Sequence, residues 1–139
     1  MSANVQPIFT LTPNCKGTTI NAANTAKDGS GAITTLFTAG TNGSRVDRVT
    51  ITNSQATAGA NSASVNRIWI SDTSGANYKL YKESAVAAVT GSNTAIGYST
   101  TLNFVSGLIL ASGQLLGGTI AVRASASDNM DFVVEGGDY

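Results

Sequence analysis

The stretch Arg45–Asn53, RVDRVTITN, decides the fold class. Apolar and polar residues alternate along it, so that Val49 and Ile51 share one face of an extended chain, and Val46 shares the other face with two threonines. A period of two is typical of a half-buried β-strand. The preceding residues, Thr41–Ser44, contain Asn-Gly, which readily adopts the positive φ of a tight turn. The stretch therefore predicts a strand that begins directly after a turn.

Strands of the same kind are predicted on both sides of this stretch. Segments rich in β-branched and aromatic residues recur at short intervals, and Gly, Asn, Asp or Ser separates nearly all of them. They span residues 33–39, 65–71, 78–83, 95–104, 108–110, 119–124 and 130–135. No segment has a capped apolar stripe at helical spacing. The pattern predicts an all-β fold, an antiparallel, jelly-roll-like β-sandwich of about eight strands.

The N-terminal part of the chain is less periodic. Residues 1–26 contain both prolines, Pro7 and Pro13, and we expect them to form an extended N-terminal arm or an edge strand. Pro13-Asn14 has the composition of a turn. Residues 27–139 would then form the β-sandwich domain. The polar run Gln55–Ser64 predicts a loop long enough to be functional or mobile.

Composition favours a folded protein that binds other proteins. Hydrophobic residues are 42% of the 139 residues, charged residues are only 12%, and the net charge is zero. This is unlike the low hydrophobicity and high charge of disordered chains. Nucleic-acid binding would need clustered Lys and Arg, whereas Arg45 and Arg48 flank Asp47 and form a basic pair of the kind found at a strand edge. No apolar run is long enough for a transmembrane helix, so neither nucleic acid nor membrane is an expected partner.

The residues available for chemistry favour a protein that is not an enzyme. The chain contains no His, and Cys15 is its only cysteine, so an internal disulfide is excluded. The eight carboxylates lie mostly in turns and at strand ends; a glycosidase would need two of them facing one cleft. Asp28-Gly29-Ser30-Gly31, and Asp128 with Asp131, are weak calcium-like patterns. We therefore expect no catalytic, cofactor-binding or metal-binding residues and no cofactor.

The aromatic residues have two interpretations. Trp69, Tyr78, Tyr81 and Tyr98 could stack on sugars or act as binding hot spots. The alternative is that Trp69 anchors the core together with Phe37, and burial tendencies favour this interpretation.

Several stretches resemble a family of small virion structural proteins of tailed bacteriophages. They are residues 37–51, FTAGTNGSRVDRVTI, residues 67–72, RIWISD, residues 78–83, YKLYKE, residues 107–113, GLILASG, and the ending VEGGDY at residues 134–139. The likeness covers roughly residues 32–139. It implies a phage structural protein of β-sandwich type, and such proteins commonly decorate capsids as trimers. The family has no motif that assigns binding residues.

The resulting hypothesis is a capsid decoration, or cement, protein that binds the major capsid lattice and stabilises it. Its expected partners are the major capsid protein and further copies of itself in a homotrimer, and its expected location is the capsid surface of the virion after synthesis in the host cytoplasm. The arm and the loop Gln55–Ser64 are the parts expected to reach neighbouring subunits. The main alternative is a phage tail or fibre component that binds a host receptor or glycan, and a carbohydrate-active enzyme is the third.

Overall fold

The computed structural model describes residues 9–55, 59–123, 125 and 127–139. Their secondary structure is β-strand, with no helix and hence no helix able to span a membrane. The strands are β1 (Thr12–Ile20), β2 (Thr34–Thr38), β3 (Ser44–Asn53), β4 (Gly59–Ala60), β5 (Ser64–Ile70), β6 (Lys79–Val86), β7 (Thr90–Gly91), β8 (Ser99–Leu110), β9 (Leu115–Ile120) and β10 (Met130–Asp138).

Eight of these strands form two four-stranded sheets. The first sheet has the order β1-β10-β3-β8, the second has the order β2-β9-β5-β6, and a small third sheet pairs β4 with β7. All the paired strands are antiparallel. When the eight main strands are counted in chain order, the sheets read 1-8-3-6 and 2-7-4-5, which is the strand order of a jelly roll. The predicted fold class is confirmed.

The core lies between the two sheets. Its largest fully buried residues include Phe37, Ile51, Ile68 and Phe132. These residues come from strands distant in sequence, so burying this apolar surface holds the two sheets together.

The inward face of β3 differs from the alternation predicted for it. Val46 and Val49 are both fully buried, although they were placed on opposite faces. Asp47 has no partner on β10, because Arg48 pairs with Glu135 and Val46 pairs with Gly136. Such a β-bulge adds one residue and reverses the alternation beyond it. The prediction for Val46 was therefore wrong.

The break predicted between a strand at residues 95–104 and another at residues 108–110 is also wrong. β8 continues through it, with Asn103 opposite Arg48 and Leu108 opposite Val46 on β3. The extra residues are accommodated inside the strand by positive φ angles of 67° at Ser106 and 78° at Gly107. The pair Ser106-Gly107, whose composition often ends a strand, produces an irregularity inside β8 instead.

The described part of the N-terminal segment contains an edge strand. β1 pairs with β10 from Thr12↔Asp138 to Ile20↔Met130, and Ile20 is buried. Pro13-Asn14, predicted as a turn, is extended in this strand, since an edge strand tolerates proline. Residues 1–8 of the predicted arm lie outside the described residues.

Smaller differences concern strand ends. β8 begins at Ser99, later than predicted, and β9 spans Leu115–Ile120, earlier than the predicted 119–124. The described parts of the connections 21–33, 54–63, 87–98 and 121–129 lie at one end of the sandwich. The shorter turns 39–43, 71–78 and 111–114 lie at the other end.

The β1–β2 connection, residues 21–33, covers the outer face of the second sheet. Arg67 on β5 is 4% exposed, and its Nη1 donates to the carbonyl oxygen of Asn24 at 3.2 Å. A Cβ atom at Gly117 would lie 2.5 Å from Ile33 Cγ2 and 3.0 Å from a Tyr78 ring atom, so this connection and Tyr78 pack directly on β9. The middle strands of the second sheet, β9 and β5, are thus covered on both faces.

Candidate functional site

The part of the chain that the structure describes leaves the outer face of the first sheet open to solvent. Residues on this face alternate with the core residues Ile20, Phe132 and Val134. They form three rows that each cross all four strands. The rows are Thr19, Asp131, Thr52 and Ser99; Gly17, Val133, Thr50 and Thr101; and Cys15, Glu135, Arg48 and Asn103. We call this surface the open face.

Hydroxyl groups dominate the first two rows. Thr19 Oγ1 donates to Asp131 Oδ1 at 2.5 Å, and the hydroxyl oxygens of Thr52 and Ser99 lie 3.1 Å apart. In the second row, the hydroxyls of Thr50 and Thr101 are 3.4 Å apart. Side chains that are short, uncharged and already bonded to one another cost less to desolvate than Lys or Glu. This part of the face is suited to being covered by a protein.

The charges of the third row form an ion pair. Arg48 Nη2 donates to Glu135 Oε1 at 3.1 Å, and Arg48 Nε also donates to this carboxylate. The hydrogen bond and the charge of Arg48 lower the pKa of Glu135, and the carboxylate raises the pKa of Arg48. Nearby, Arg45 Nε donates to Asp47 Oδ1 at 2.7 Å. Each arginine of the predicted basic pair therefore has its own carboxylate, which leaves no cationic patch here.

A shallow cleft opens beside this ion pair. Its lining includes Pro13, Cys15, Arg48, Asn103 and Glu135. The thiol of Cys15 is free and exposed. Because Arg48 lowers the pKa of Glu135 further from an already acidic value, this carboxylate is ionised at neutral pH, where it can accept hydrogen bonds but is a poor general acid. The arrangement is suited to polar binding rather than to proton transfer.

The remaining carboxylates do not converge on one site. Asp28 Oδ1 accepts from the backbone N–H and hydroxyl of Ser30, within its own turn. Asp128 is 2% exposed and accepts from Asn53 and Ser62, whereas Asp131 accepts from Thr19 on the open face. Within the described residues, no group of three or more His, Cys, Asp or Glu side chains could hold a metal ion.

Of the four aromatic candidates, only Tyr81 is exposed. Trp69 is fully buried and its Nε1 donates to Thr119 Oγ1 at 3.0 Å, so its interpretation as a packing residue is confirmed. Trp69 does not lie in the inter-sheet core with Phe37, however, but on the outer side of the second sheet. Tyr98 is buried and donates to the carbonyl oxygen of Ala85.

The loop Gln55–Ser64 is anchored where the structure describes it. Gly59 and Ala60 form β4, which pairs with β7. Asn61 is 2% exposed, and its Nδ2 donates to the carbonyl oxygen of Ala87 at 2.8 Å. Residues 56–58 lie outside the described residues, and the role of this loop in reaching neighbours stays a prediction.

The segment 134–139 is held tightly against β3. A Cβ atom at Gly136 would lie 2.1 Å from the carbonyl oxygen of Arg45, which explains the need for glycine. The backbone N–H of Tyr139 donates to the carbonyl oxygen of Gly43 at 3.1 Å. These contacts hold the segment close beside β3.

Exposed apolar side chains flank the open face. Phe9 and Leu11 precede β1 and are 78% and 70% exposed, and the backbone N–H of Leu11 donates to the carbonyl oxygen of Asp138. On β8, Val105 is 93% exposed and Ile109 is 58% exposed. The alternation at Phe9 and Leu11 is visible in the sequence, whereas the exposure of Val105 follows from the β8 irregularity.

Comparison with known protein families finds no family model that matches this chain, and comparison with curated proteins finds no match either.

Proposed function

We propose that the protein is a non-enzymatic virion structural protein, a capsid decoration protein that binds the major capsid lattice and stabilises it. The observation that carries the proposal is the contrast between the two outer faces. Residues 21–33 cover the middle of the second sheet, whereas no described residue of the chain covers the open face of the first sheet. The sequence resemblance to phage virion proteins supports a capsid as the surface that this face binds.

The composition of the open face fits a stable protein contact. Its guanidinium groups are neutralised by Glu135 and Asp47, and most of its other side chains are hydroxyls or small groups. The flanking Phe9, Leu11 and Ile109 supply apolar area, which contributes about 25 cal/mol per Å² when it is buried. Polar rows flanked by exposed apolar side chains favour a large protein–protein interface over a deep pocket for a small molecule.

Decoration needs no single tight site. When each copy binds the lattice and also contacts its neighbours, many weak contacts add through avidity. A cyclic trimer is the assembly we propose, because the virion proteins that the sequence resembles commonly decorate capsids as trimers, and homo-oligomers usually have closed symmetry. The zero net charge of the chain keeps repulsion between neighbouring copies low.

The proposal is tested by cosedimentation of the purified protein with phage capsids assembled without it. Wild type should saturate the capsids at hundreds of copies per particle. Thr101→Arg places an unpaired charge in the second of the three rows of the open face, on β8, and should weaken binding about tenfold or more. Ser112→Arg, in an exposed turn between β8 and β9, is the control and should bind as wild type does.

Two results would contradict the proposal. One is the absence of binding to capsids by a wild-type protein whose fold has been verified. The other is equal binding by Thr101→Arg and Ser112→Arg. A copy number of a dozen or fewer on intact virions would instead indicate the tail or fibre component.

A further inference from the structure

A second surface lies on the edge strand β6, away from the open face. β6 pairs with β5 on one side, and no backbone hydrogen bond joins its other side to a further strand among the described residues. Four consecutive residues, Lys79, Leu80, Tyr81 and Lys82, are exposed here. We call residues 79–82 the β6 strip.

The β6 strip combines apolar contact area with positive charge. Leu80 is 38% exposed and Tyr81 is 47% exposed. The Tyr81 ring packs against the buried Phe104 ring of β8, with ring centroids 5.6 Å apart. Lys82 Nζ lies 5.8 Å from the centroid of the Phe104 ring. Tyr81 and Lys82 therefore both pack against Phe104, and this contact holds the two side chains at the surface.

The charges around the strip are unbalanced. Glu83 is the carboxylate on β6, and it is shared by Arg67 Nε at 2.9 Å and Lys27 Nζ at 3.3 Å. The hydrogen bond from Arg67, and then that from Lys27, lowers the pKa of Glu83. Asp28, next to Lys27 in sequence, is bonded to Ser30 in its own turn. Because Glu83 already serves two cations, Lys79 and Lys82 have no ion pair with a described carboxylate.

We propose that the β6 strip binds an acidic, extended segment of a partner protein. Such a segment would place carboxylates against Lys79 and Lys82, bury apolar side chains on Leu80 and Tyr81, and bring its backbone beside the free side of β6. Strand addition at an open sheet edge is an established mode of peptide recognition. The positive charges of Lys79 and Lys82 make the strip selective, because they attract the carboxylates of an acidic segment and repel a basic one.

A second copy of this chain is a poor occupant of the strip. Two β6 edges would bring like charges together, and lysine on an edge strand is a common device against self-pairing. Nucleic acid is also disfavoured, since phosphate binding needs more clustered cations than two free lysines and gains little from Leu80. An acidic polypeptide satisfies both the charge and the apolar contacts.

The other sheet edges are less suited to this role. β1 carries Pro13 and Gly17, which weaken edge pairing. β2 is short and its register with β9 shifts between Thr35 and Phe37. β8 is interrupted by the positive φ angles of Ser106 and Gly107. Among these described edge strands, only β6 carries two lysines without an ion pair and, within the strand itself, large exposed apolar residues beside them.

This inference goes beyond the proposed function, because the strip lies on the second sheet and its test uses no capsid. The probes are a fluorescent peptide of alternating glutamate and valine, the same peptide with lysine in place of glutamate, and a single-stranded oligothymidylate. Binding to the full chain is measured by fluorescence anisotropy at low salt. Hydrogen exchange then locates the amides that each bound probe protects.

We expect the acidic peptide to bind and to protect amides of β6, and the other two probes to bind at least tenfold more weakly. Lys82→Glu should reduce affinity for the acidic peptide about three- to tenfold at low salt, and less as salt screens the charges. Lys16→Glu on β1 is the matched control and should change affinity little. Thermal unfolding of both variants verifies that they fold.

Several outcomes would overturn the inference. They are no binding of the acidic peptide, equal binding of the lysine peptide, equal or tighter binding of the oligothymidylate, protection outside β6, or equal losses for Lys82→Glu and Lys16→Glu. Each of these outcomes can be measured whether or not the protein decorates a capsid.

Discussion

The buried indole N–H of Trp69 has a single hydrogen-bond partner, which stabilises the covered face of the second sheet. Trp69 is fully buried, Thr119 is 1% exposed, and the indole N–H donates to the threonine hydroxyl at 3.0 Å. Thr119→Val leaves this N–H buried without a partner, and we expect a loss of about 1–3 kcal/mol in the free energy of unfolding. Urea denaturation measures the loss.

The matched control for Thr119→Val is Thr101→Val on the open face. Thr101 is exposed, so the same substitution should change stability by no more than about 0.5 kcal/mol. In a double-mutant cycle, Trp69→Phe with Thr119→Val should cost less than the sum of the two single changes, because both remove the same hydrogen bond. Strict additivity would contradict the assigned role of this contact.

Asp72 makes the turn 71–78 sensitive to acid. Its carboxylate accepts hydrogen bonds from the side chains of Ser74 and Asn77 and from the backbone N–H of Ala76 at 3.0 Å. The Ser74 bond is the largest of the causes that lower the pKa of Asp72 from 3.8 to about 2. Since the folded pKa is the lower one, the carboxylate stabilises the fold fully above pH 3.8 and loses this effect as pH falls towards 2.

We therefore expect Asp72→Asn to flatten the dependence of the melting temperature on pH between about 4 and 2. The measurement compares melting curves of wild type and variant over that range and at neutral pH. Asp47→Asn is the control, because Asp47 is an exposed residue of β3, away from this turn. Identical slopes for wild type and Asp72→Asn would show that the turn does not hold this carboxylate.

At the scale of the element, the sequence predicted strands well and their irregularities poorly. The alternation in Arg45–Asn53 was sufficient to identify β3, because each strand buries one face. It could not show the bulge at Asp47, which depends on the partner strands β10 and β8. Ser106-Gly107 likewise has turn composition, and only pairing on both sides of it shows that β8 continues.

Gly107 is the position where this irregularity is most constrained. It has a positive φ of 78°, and an added Cβ would lie 2.3 Å from Arg45 Nε. We expect Gly107→Ala to lower the free energy of unfolding by about 1–3 kcal/mol, through backbone strain and displacement of Arg45. Chemical denaturation of the purified variant measures this effect.

Two substitutions in the same sheet provide the controls. Gly17→Ala on the open face meets only Val133 Cγ2, at 3.9 Å, and should be nearly neutral. Ser106→Gly relieves a positive φ of 67° at a residue that is not glycine, and should be neutral or stabilising by up to about 1 kcal/mol. If Gly107→Ala and Gly17→Ala cost the same, the strain argument is wrong.

At the scale of the whole molecule, the sequence predicted a jelly-roll-like sandwich but not which of its surfaces is covered. Strand number and spacing follow from local patterns, which is why the fold class was accessible. The covering of the second sheet by residues 21–33 depends on contacts between distant segments, such as that of Arg67 with Asn24. The open face and the β6 strip are defined only once these contacts are known.

The N-terminal segment provides the last test, because the sequence prediction divided the chain between residues 26 and 27 and so left β1 outside the sandwich domain. β1 covers the edge of β10 with nine residue pairs, and Ile20 contributes a buried side chain. Removing residues 1–26 exposes that edge, empties the Ile20 site at a cost of about 2–5 kcal/mol, and removes Asn24 from Arg67. We expect the chain 27–139 to be unfolded or aggregated by circular dichroism and size-exclusion chromatography.

A chain lacking only residues 1–8 is the control, because it keeps every described contact. If residues 27–139 alone unfolded at the same urea concentration as this control, β1 would be an appendage and not part of the jelly roll.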